Sequence, residues 1–515
     1  MPISTAELVA GTATSAELSR AHEPNRRATG SPTTRRRVPT AVIGLIGVVI
    51  AFIGITAMFA FEQAPFYDSD EKAHLGYAHE IADFRLPEID RQPDVPDSAR
   101  QWQTERATAR TARHTGVWVA NHPPLHYVMT APLIWFAEAT DRPDGGLLLM
   151  RFANLALAAV GVCFTYLLGT ELGGGKRRIG LAAAAIVALV PQGHTYFSRG
   201  LNDGLAFAAG TALLWAGVRC LRRPTDRRDL VILGVTAAVA AGARTATMLL
   251  AVVVVGAVAA NRLAAVPGEP WRQRVRGATT VATFGLGPAV VLFGWFYVRI
   301  QLLYGDVGAS AFLLDYFGRV PRGSAFDVLK SGRMWSHLYH RLTSTAPLSW
   351  AWPRFANVVA VVAVAGLVLV VVRTRSAITR RSIALCLVAI ALIVATVAQH
   401  IAGGGNPYPR YLFPVLGVAA ALVALAFDRL LPRVLPAALV AVMAWWAIRQ
   451  MPIGVDPAWA RRPRDRGAVP PPALRTLPVG DGWRMVAAGL IGAGALVVVV
   501  ACCVGLARWR RPTVP

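Results

Sequence analysis

The stretch VPTAVIGLIGVVIAFIGITAMFAF, residues 38–61, runs without a single charge. A helix that crosses a bilayer needs roughly 20 such residues in a row. It must also satisfy its own backbone polar groups, because the hydrocarbon offers them nothing. Comparable runs recur at 148–171, 179–197, 203–221, 229–243, 245–262, 277–300, 354–372, 382–401, 409–427, 434–449 and 485–507. The pattern predicts an all-α polytopic integral membrane protein of about 12 (11–13) transmembrane helices, in keeping with 54% hydrophobic residues and a mean hydropathy of +0.45.

One further apolar run, PPLHYVMTAPLIWFAEA at 123–139, begins with two prolines and carries His126 and Glu138. Without it as a span, every second connection is basic: TTRRR, GGGKRR, RRPTDRR, WRQRVR, RTRSAITRR, DRLLPR and RWRRPTVP. Short cytoplasmic loops concentrate Lys and Arg, so 123–139 reads as an interfacial or re-entrant helix and both termini as cytoplasmic. ARRPRDR in the connection 450–484 runs against this scheme and makes 434–449 its weakest span. Two large outer loops follow, 62–147 and 301–353. The expected organisation is a basic disordered tail at 1–37, a membrane core at 38–430 and C-terminal membrane helices with a basic tail at 431–515. The expected location is the plasma (inner) membrane.

The net charge of +24 is accounted for by those clusters. No basic, aromatic-interleaved soluble domain exists to bind nucleic acid. The five cysteines fall in or at the ends of apolar runs, so no disulfide framework or zinc ribbon is implied.

Polar chemistry gathers outside the spans. In DSDEKAHLGYAHE, residues 68–80, Ser69 is a plausible N-cap for an amphipathic helix over 69–84. At 100° per residue, Asp70, His74, Tyr77, Ile81 and Phe84 share one packed stripe, and Lys72, Gly76, His79 and Asp83 form the solvated side. A carboxylate and an imidazole four residues apart on a packed face are costly to desolvate unless they pair or work. Asp68 and Glu71 read as residues that start the helix or support it. NHPPLHY (121–127) spaces His122 and His126 like a two-histidine metal face, but no acid stands near them. SRGLNDG crowds Arg199, Asn202 and Asp203 together at the end of a span. In GGGNPYPRY, Arg410 and Tyr411 follow a proline-stiffened strand, where the arginine either snorkels to headgroups or clamps a phosphate. GWFYVRIQLLYGDV leads out of a span to Asp306.

In order and context these motifs (DSDEKAHLGYA, NHPPLHY, NDG, LLYGD and PRYLFP) resemble the GT-C superfamily of polyprenyl-phosphate-sugar-dependent membrane glycosyltransferases. That superfamily includes the protein O-mannosyltransferases and the lipid A aminoarabinose transferases. The resemblance covers 38 to about 430. It implies an inverting membrane hexosyl- or pentosyltransferase with an extracytoplasmic active site. Asp70 would be the base that deprotonates the acceptor, with Asp68 competing for that role. Glu71 and His74 would orient the base, or Asp70 and His74 would hold a divalent metal. His122, Asn202, Asp203, Asp306, Arg410 and Tyr411 would bind substrate, Arg410 on the donor phosphate. The partners are a polyprenyl-phosphate sugar, a glycan, lipid or protein acceptor, and the bilayer. The rival readings are a transporter or flippase of lipid-linked sugars and a non-catalytic relative.

Overall fold

A computed structural model of the protein describes residues 40–63, 65–66, 69–106, 115–223, 225–264, 268–343, 351–430 and 481–509. Among these residues the regular structure is helical. Eight helices are long and apolar enough to cross a membrane, or nine if a pair bent by 68° counts as one span. They begin with α1 (Thr40–Glu62), α5 (Pro143–Leu172), α8 (Asp203–Arg222), α10 (Thr245–Ala264) and α11 (Trp271–Tyr304). Then come α16 (Ala377–Ala402), the stretch Pro409–Leu430 and the last described helix, here α18 (Asp481–Trp509). The bent pair is α6 (Arg177–Ala188) with α7 (Pro191–Phe197), which falls on the expected span 179–197. Helices also form at two more of the expected spans, α9 (Arg227–Ala243) and α15 (Ala351–Arg373), but among the described residues neither offers so long an apolar stretch. The expected span 434–449 lies outside the described residues, as does the proposed tail at 1–37.

The last described helix packs along the first, and small residues permit it. A Cβ on Gly494 would sit 2.4 Å from the backbone nitrogen of Ala51, so the two backbones nearly touch. With lipid as solvent, such close van der Waals contact drives helix association. The stretch Pro409–Leu430 starts as a 3₁₀ turn (Pro409–Val415) and continues as α17 (Leu416–Leu430). Pro414 has no N–H to enter an α-helical ladder, so the regular helix begins only after it. A Cβ at Gly210 of α8 would lie 2.2 Å from the Pro414 carbonyl oxygen, so glycine there lets the turn lie against α8.

Between α1 and α5 sit three shorter helices, α2 (Ser69–Ala82), α3 (Asp97–Arg106) and α4 (Leu125–Ala139). At 15 residues, α4 reaches only about 22 Å, which is short of a bilayer crossing. It packs against α2 through stacked Tyr77 and Tyr127 rings 3.6 Å apart, and through Trp135 Nε1, which donates to the Ala82 carbonyl at 2.7 Å. This pair shares a core with the end of α11: Leu75, Tyr77, Ile89, Trp118, Tyr127, Phe296, Tyr297 and Ile300 are buried together. At 34 residues, α11 is about 51 Å long and outruns the hydrocarbon, so its last turns brace the loop layer.

Two details of α2 differ from the sequence expectation. The helix ends at Ala82, and Phe84 lies beyond it at φ 57° with 88% of its surface exposed. Part of the side expected to be solvated is covered instead: His79 is buried, with Nδ1 2.8 Å from Glu138 Oε1 on α4, and Gly76 lies against Pro93, while Asp83 stays exposed. The cause is α4 and the 87–95 segment, which wrap the helix from both sides.

The connections that carry basic clusters are linked at one end of the bundle. Arg178 pairs with Asp428 at 2.6 Å, Arg223 with Glu171 at 2.7 Å, Arg219 with Asp229 at 2.5 Å, and Arg381 donates to Asn261 at 2.8 Å. The other end carries the candidate site.

Candidate functional site

Five helix ends meet at that other end: the C-termini of α1, α9 and α16 and the N-termini of α8 and the 3₁₀ turn. The first turn of α2 crosses over them, and its two neighbouring carboxylates part company.

Glu71 turns inward. Its Oε1 accepts from Arg151 Nε at 2.8 Å and from the Gly200 N–H at 2.8 Å. Its Oε2 accepts from Arg151 Nη2 at 2.9 Å and from the Phe66 N–H at 3.0 Å. Arg151 Nη1 donates to the Ala60 and Gln63 carbonyls, both at 2.8 Å. Burial alone would raise the Glu71 pKa, but the Arg151 charge and these four hydrogen bonds outweigh it and hold the carboxyl below its usual range.

Asp70 turns outward and keeps 21% of its side chain exposed. Its Oδ1 accepts from Trp118 Nε1 at 3.1 Å, and its Oδ2 is paired with Arg410 Nη2. Burial again works to raise its pKa, and the guanidinium of Arg410, the two hydrogen bonds and His122 together bring it below the usual carboxylate value. The carboxylate is ionised at neutral pH.

Arg410 joins both candidate acids. Its Nη1 lies 3.7 Å from Asp203 Oδ2, and its guanidinium sits over the rings of Tyr196, Tyr408 and Tyr411 at 5.6, 5.5 and 5.4 Å. Asp203 is fully buried and meets a second arginine, Arg244 Nη2, at 2.8 Å. Arg244 also donates to Asn202 Oδ1, from Nε at 3.0 Å and Nη2 at 2.6 Å. Asn202 Nδ2 in turn lies 3.0 Å from His122 Nδ1. Because the amide nitrogen can only donate, His122 accepts at Nδ1 and carries its proton on Nε2. Asn202 is therefore a connector between Arg244 and His122, and its side chain makes no helix cap.

His74 stands behind this row, with Nδ1 2.8 Å from the Tyr127 hydroxyl and its ring 5.7 Å from that of His122. Burial, then the positive neighbours, push both imidazoles well below the ordinary histidine pKa. Burial also brings His126 down to about 3. His122 lies in the turn ahead of α4, so the helical spacing read for His122 and His126 does not form a shared face. Among the described residues, no group of three or more His, Cys, Asp or Glu is arranged to hold a metal ion.

Asp70, His74, His122, Asn202, Asp203, Arg410 and Tyr411 are thus gathered at one bundle end. Asp306 is used elsewhere: its carboxylate accepts from the Gly308, Ser310 and Ala311 N–H groups and shapes the turn after α11. Asp68 lies outside the described residues. Sequence reading passed over Arg244, Arg151 and Trp118. The legible signal for Arg244 was a lone arginine in AGART, between two apolar runs.

Among solved structures, the chain is similar to ArnT from Cupriavidus metallidurans bound to undecaprenyl phosphate. The identity is 14% and the TM-score 0.49, over 91% of this chain and 72% of that one. It is also similar to ArnT from the same organism in the apo state, with 18% identity and a TM-score of 0.40, over 82% of this chain and 72% of that one. A third is the oligosaccharyltransferase AglB of Archaeoglobus fulgidus in complex with an inhibitory peptide and a dolichol-phosphate. It shows 14% identity and a TM-score of 0.39 over 89% of this chain, which spans only 55% of that one. No curated protein matches the sequence. Residues 85–419, which include Asp203, Arg244 and Arg410, match the family model described as a predicted membrane protein, and the chain belongs to that family, DUF2142.

Proposed function

We propose that this protein transfers a sugar from a polyprenyl-phosphate-linked donor to an acceptor hydroxyl at the extracytoplasmic membrane face, with inversion. The observation that carries the reading is Arg410, a buried guanidinium joined to two carboxylates, one of them partly exposed. A phosphate at the end of a lipid tail would find here a planar, tyrosine-walled cation among apolar helices.

Asp70 is the general base. As the acceptor oxygen attacks the anomeric carbon, its proton passes to Asp70. The bond from that carbon to the phosphate oxygen breaks, and the leaving lipid phosphate keeps the electron pair. Arg410 balances the charge that grows on the phosphate. Asp70 holds the guanidinium to which the donor phosphate would bind. A bound phosphate draws Arg410 away and returns to Asp70 the basicity that the ion pair suppresses. Glu71 and Arg151 fix the turn from which Asp70 projects, and His74 and His122, both neutral, offer hydrogen bonds to the sugar or acceptor. The ion pairs stand at helix ends instead of mid-span, where a transport pathway would need its ionisable groups.

The test uses the purified protein in nanodiscs with polyprenyl-phosphate sugars. Asp70→Asn is expected to lower transfer about 10²–10⁴-fold, the usual worth of general-base help, with Asp68→Asn much closer to the parent. Full activity in Asp70→Asn overturns the assignment of the base, and no transfer by the parent from any such donor overturns the reading.

A further inference from the structure

The second large loop carries a charge pattern that the proposed reaction does not use. Residues 317–343 hold five Lys or Arg (Arg319, Arg322, Lys330, Arg333 and Arg341) against one carboxylate, Asp327. That carboxylate is consumed in capping helix α13 (Ala325–Lys330), where it accepts from the Ser324 N–H at 3.0 Å and the Ser324 hydroxyl at 2.6 Å. On α14 (Gly332–Thr343), Arg333, His337 and Arg341 recur every fourth residue and so line one stripe. The adjoining seam, Met334 and Leu338, is buried in the main core, so α14 is fixed with its stripe turned outward. Both arginines are exposed, and the charges that bear on His337 are Arg341 and Arg333, with no carboxylate among them.

The stripe ends at the site. The Arg341 guanidinium lies 5.5 Å from the Tyr408 ring centroid, and Arg410 lies 5.5 Å from the same ring. Among the described residues no carboxylate pairs with Arg333 or Arg341, and two such exposed guanidiniums raise the local concentration of anions and steer them along the helix. Here it leads to the carboxylate proposed as base.

We infer that the acceptor is an anionic glycan, bearing carboxylate or phosphate groups, which lies along Arg333, His337 and Arg341 and presents its hydroxyl past Tyr408. This rests on the reading of the site as a glycosyltransferase. Anionic lipid headgroups fit less well. A helix lying in the headgroup layer buries its apolar side in lipid, whereas Met334 and Leu338 of α14 are taken up by the protein core.

The experiment measures binding, without donor, of polygalacturonate and of uncharged dextran to the protein in phosphatidylcholine nanodiscs. Polygalacturonate is expected to bind with an affinity that falls as salt rises, and dextran not to bind. The double variant Arg333→Gln/Arg341→Gln should bind polygalacturonate at least tenfold more weakly. Arg333→Lys/Arg341→Lys should restore most of the affinity. Equal binding of the two glycans, or an unchanged double variant, overturns the inference. So does loss of co-purifying phosphatidylglycerol in the double variant with polygalacturonate binding intact, which would assign the stripe to lipid. A protein that binds polygalacturonate but transfers no sugar would sink the enzymatic reading and leave the anion site standing.

Discussion

Asp70 and Glu71 are neighbours in sequence, and each ends on an arginine, yet they do opposite work. Glu71 has four donors, an arginine with no exposed surface and 2% exposure of its own. Asp70 has two donors and an open flank. A saturated pair cannot exchange partners without leaving a buried charge bare, so it serves as a rivet. An unsaturated, partly exposed pair can trade its arginine for an incoming anion, so it can take part in chemistry.

Removing one partner of the rivet should have the largest effect. Arg151→Met strands the Glu71 carboxylate in the interior. Breaking a buried pair in this way costs about 3–5 kcal/mol, so little folded protein should survive detergent extraction, as size-exclusion chromatography would reveal. Asp70→Asn should instead leave thermal unfolding within a few degrees of the parent while transfer collapses. Equal loss of stability in the two variants would erase the contrast.

Arg410→Lys keeps the charge but gives up the planar fork that reaches both Asp70 and Asp203. The donor KM is expected to rise about tenfold, more than kcat falls, as initial rates against donor concentration would show. A smaller effect separates the acids by pH. His74 and His122 are held neutral, below the unfolded value of 6.5. Below that pH the unfolded chain binds protons that the folded one refuses, so stability is full above it and falls as pH drops through it. Asp70 and Glu71, with lowered pKa values, keep their stabilising charge throughout that window and lose it only below 3.8 and 4.5 respectively. Melting scans from pH 8 to 5 should therefore show a decline that His122→Gln reduces and Glu71→Gln does not. Smallest of all, Trp118→Phe removes one neutral donor from Asp70. The whole bond, donated to an ionised carboxylate, is worth about 1.5–3 kcal/mol, and only the part that changes between ground state and transition state reaches the rate, so activity should stay within about tenfold of the parent.

The sequence revealed the apolar spans because lipid imposes length and composition on each of them separately. It also revealed Asp70, Asp203 and Arg410, since polar residues crowded at span ends stand out against apolar runs. It could not reveal that Glu71 is saturated, because its partner Arg151 lies 80 residues away and looks like an ordinary arginine near the start of a span. Helical periodicity placed His79 on a solvated face. It reports which residues share a side of α2, and not whether α4 will cover the other side. Arg244 was missed because a single arginine between two spans has the same appearance whether it meets solvent or Asp203.

The contact between α1 and α18 has a consequence for how the protein is made. Helix α1 leads directly into the turn that bears Asp70, and one of its flanks is closed by a helix synthesised some 420 residues later. At about 5–20 residues per second, the ribosome takes on the order of 20–80 s to supply that partner. For this interval the glycine-lined groove of α1 faces lipid or a chaperone, and the segment that presents the proposed base rests on an anchor still missing one side. Assembly of the site is thereby tied to the arrival of α18.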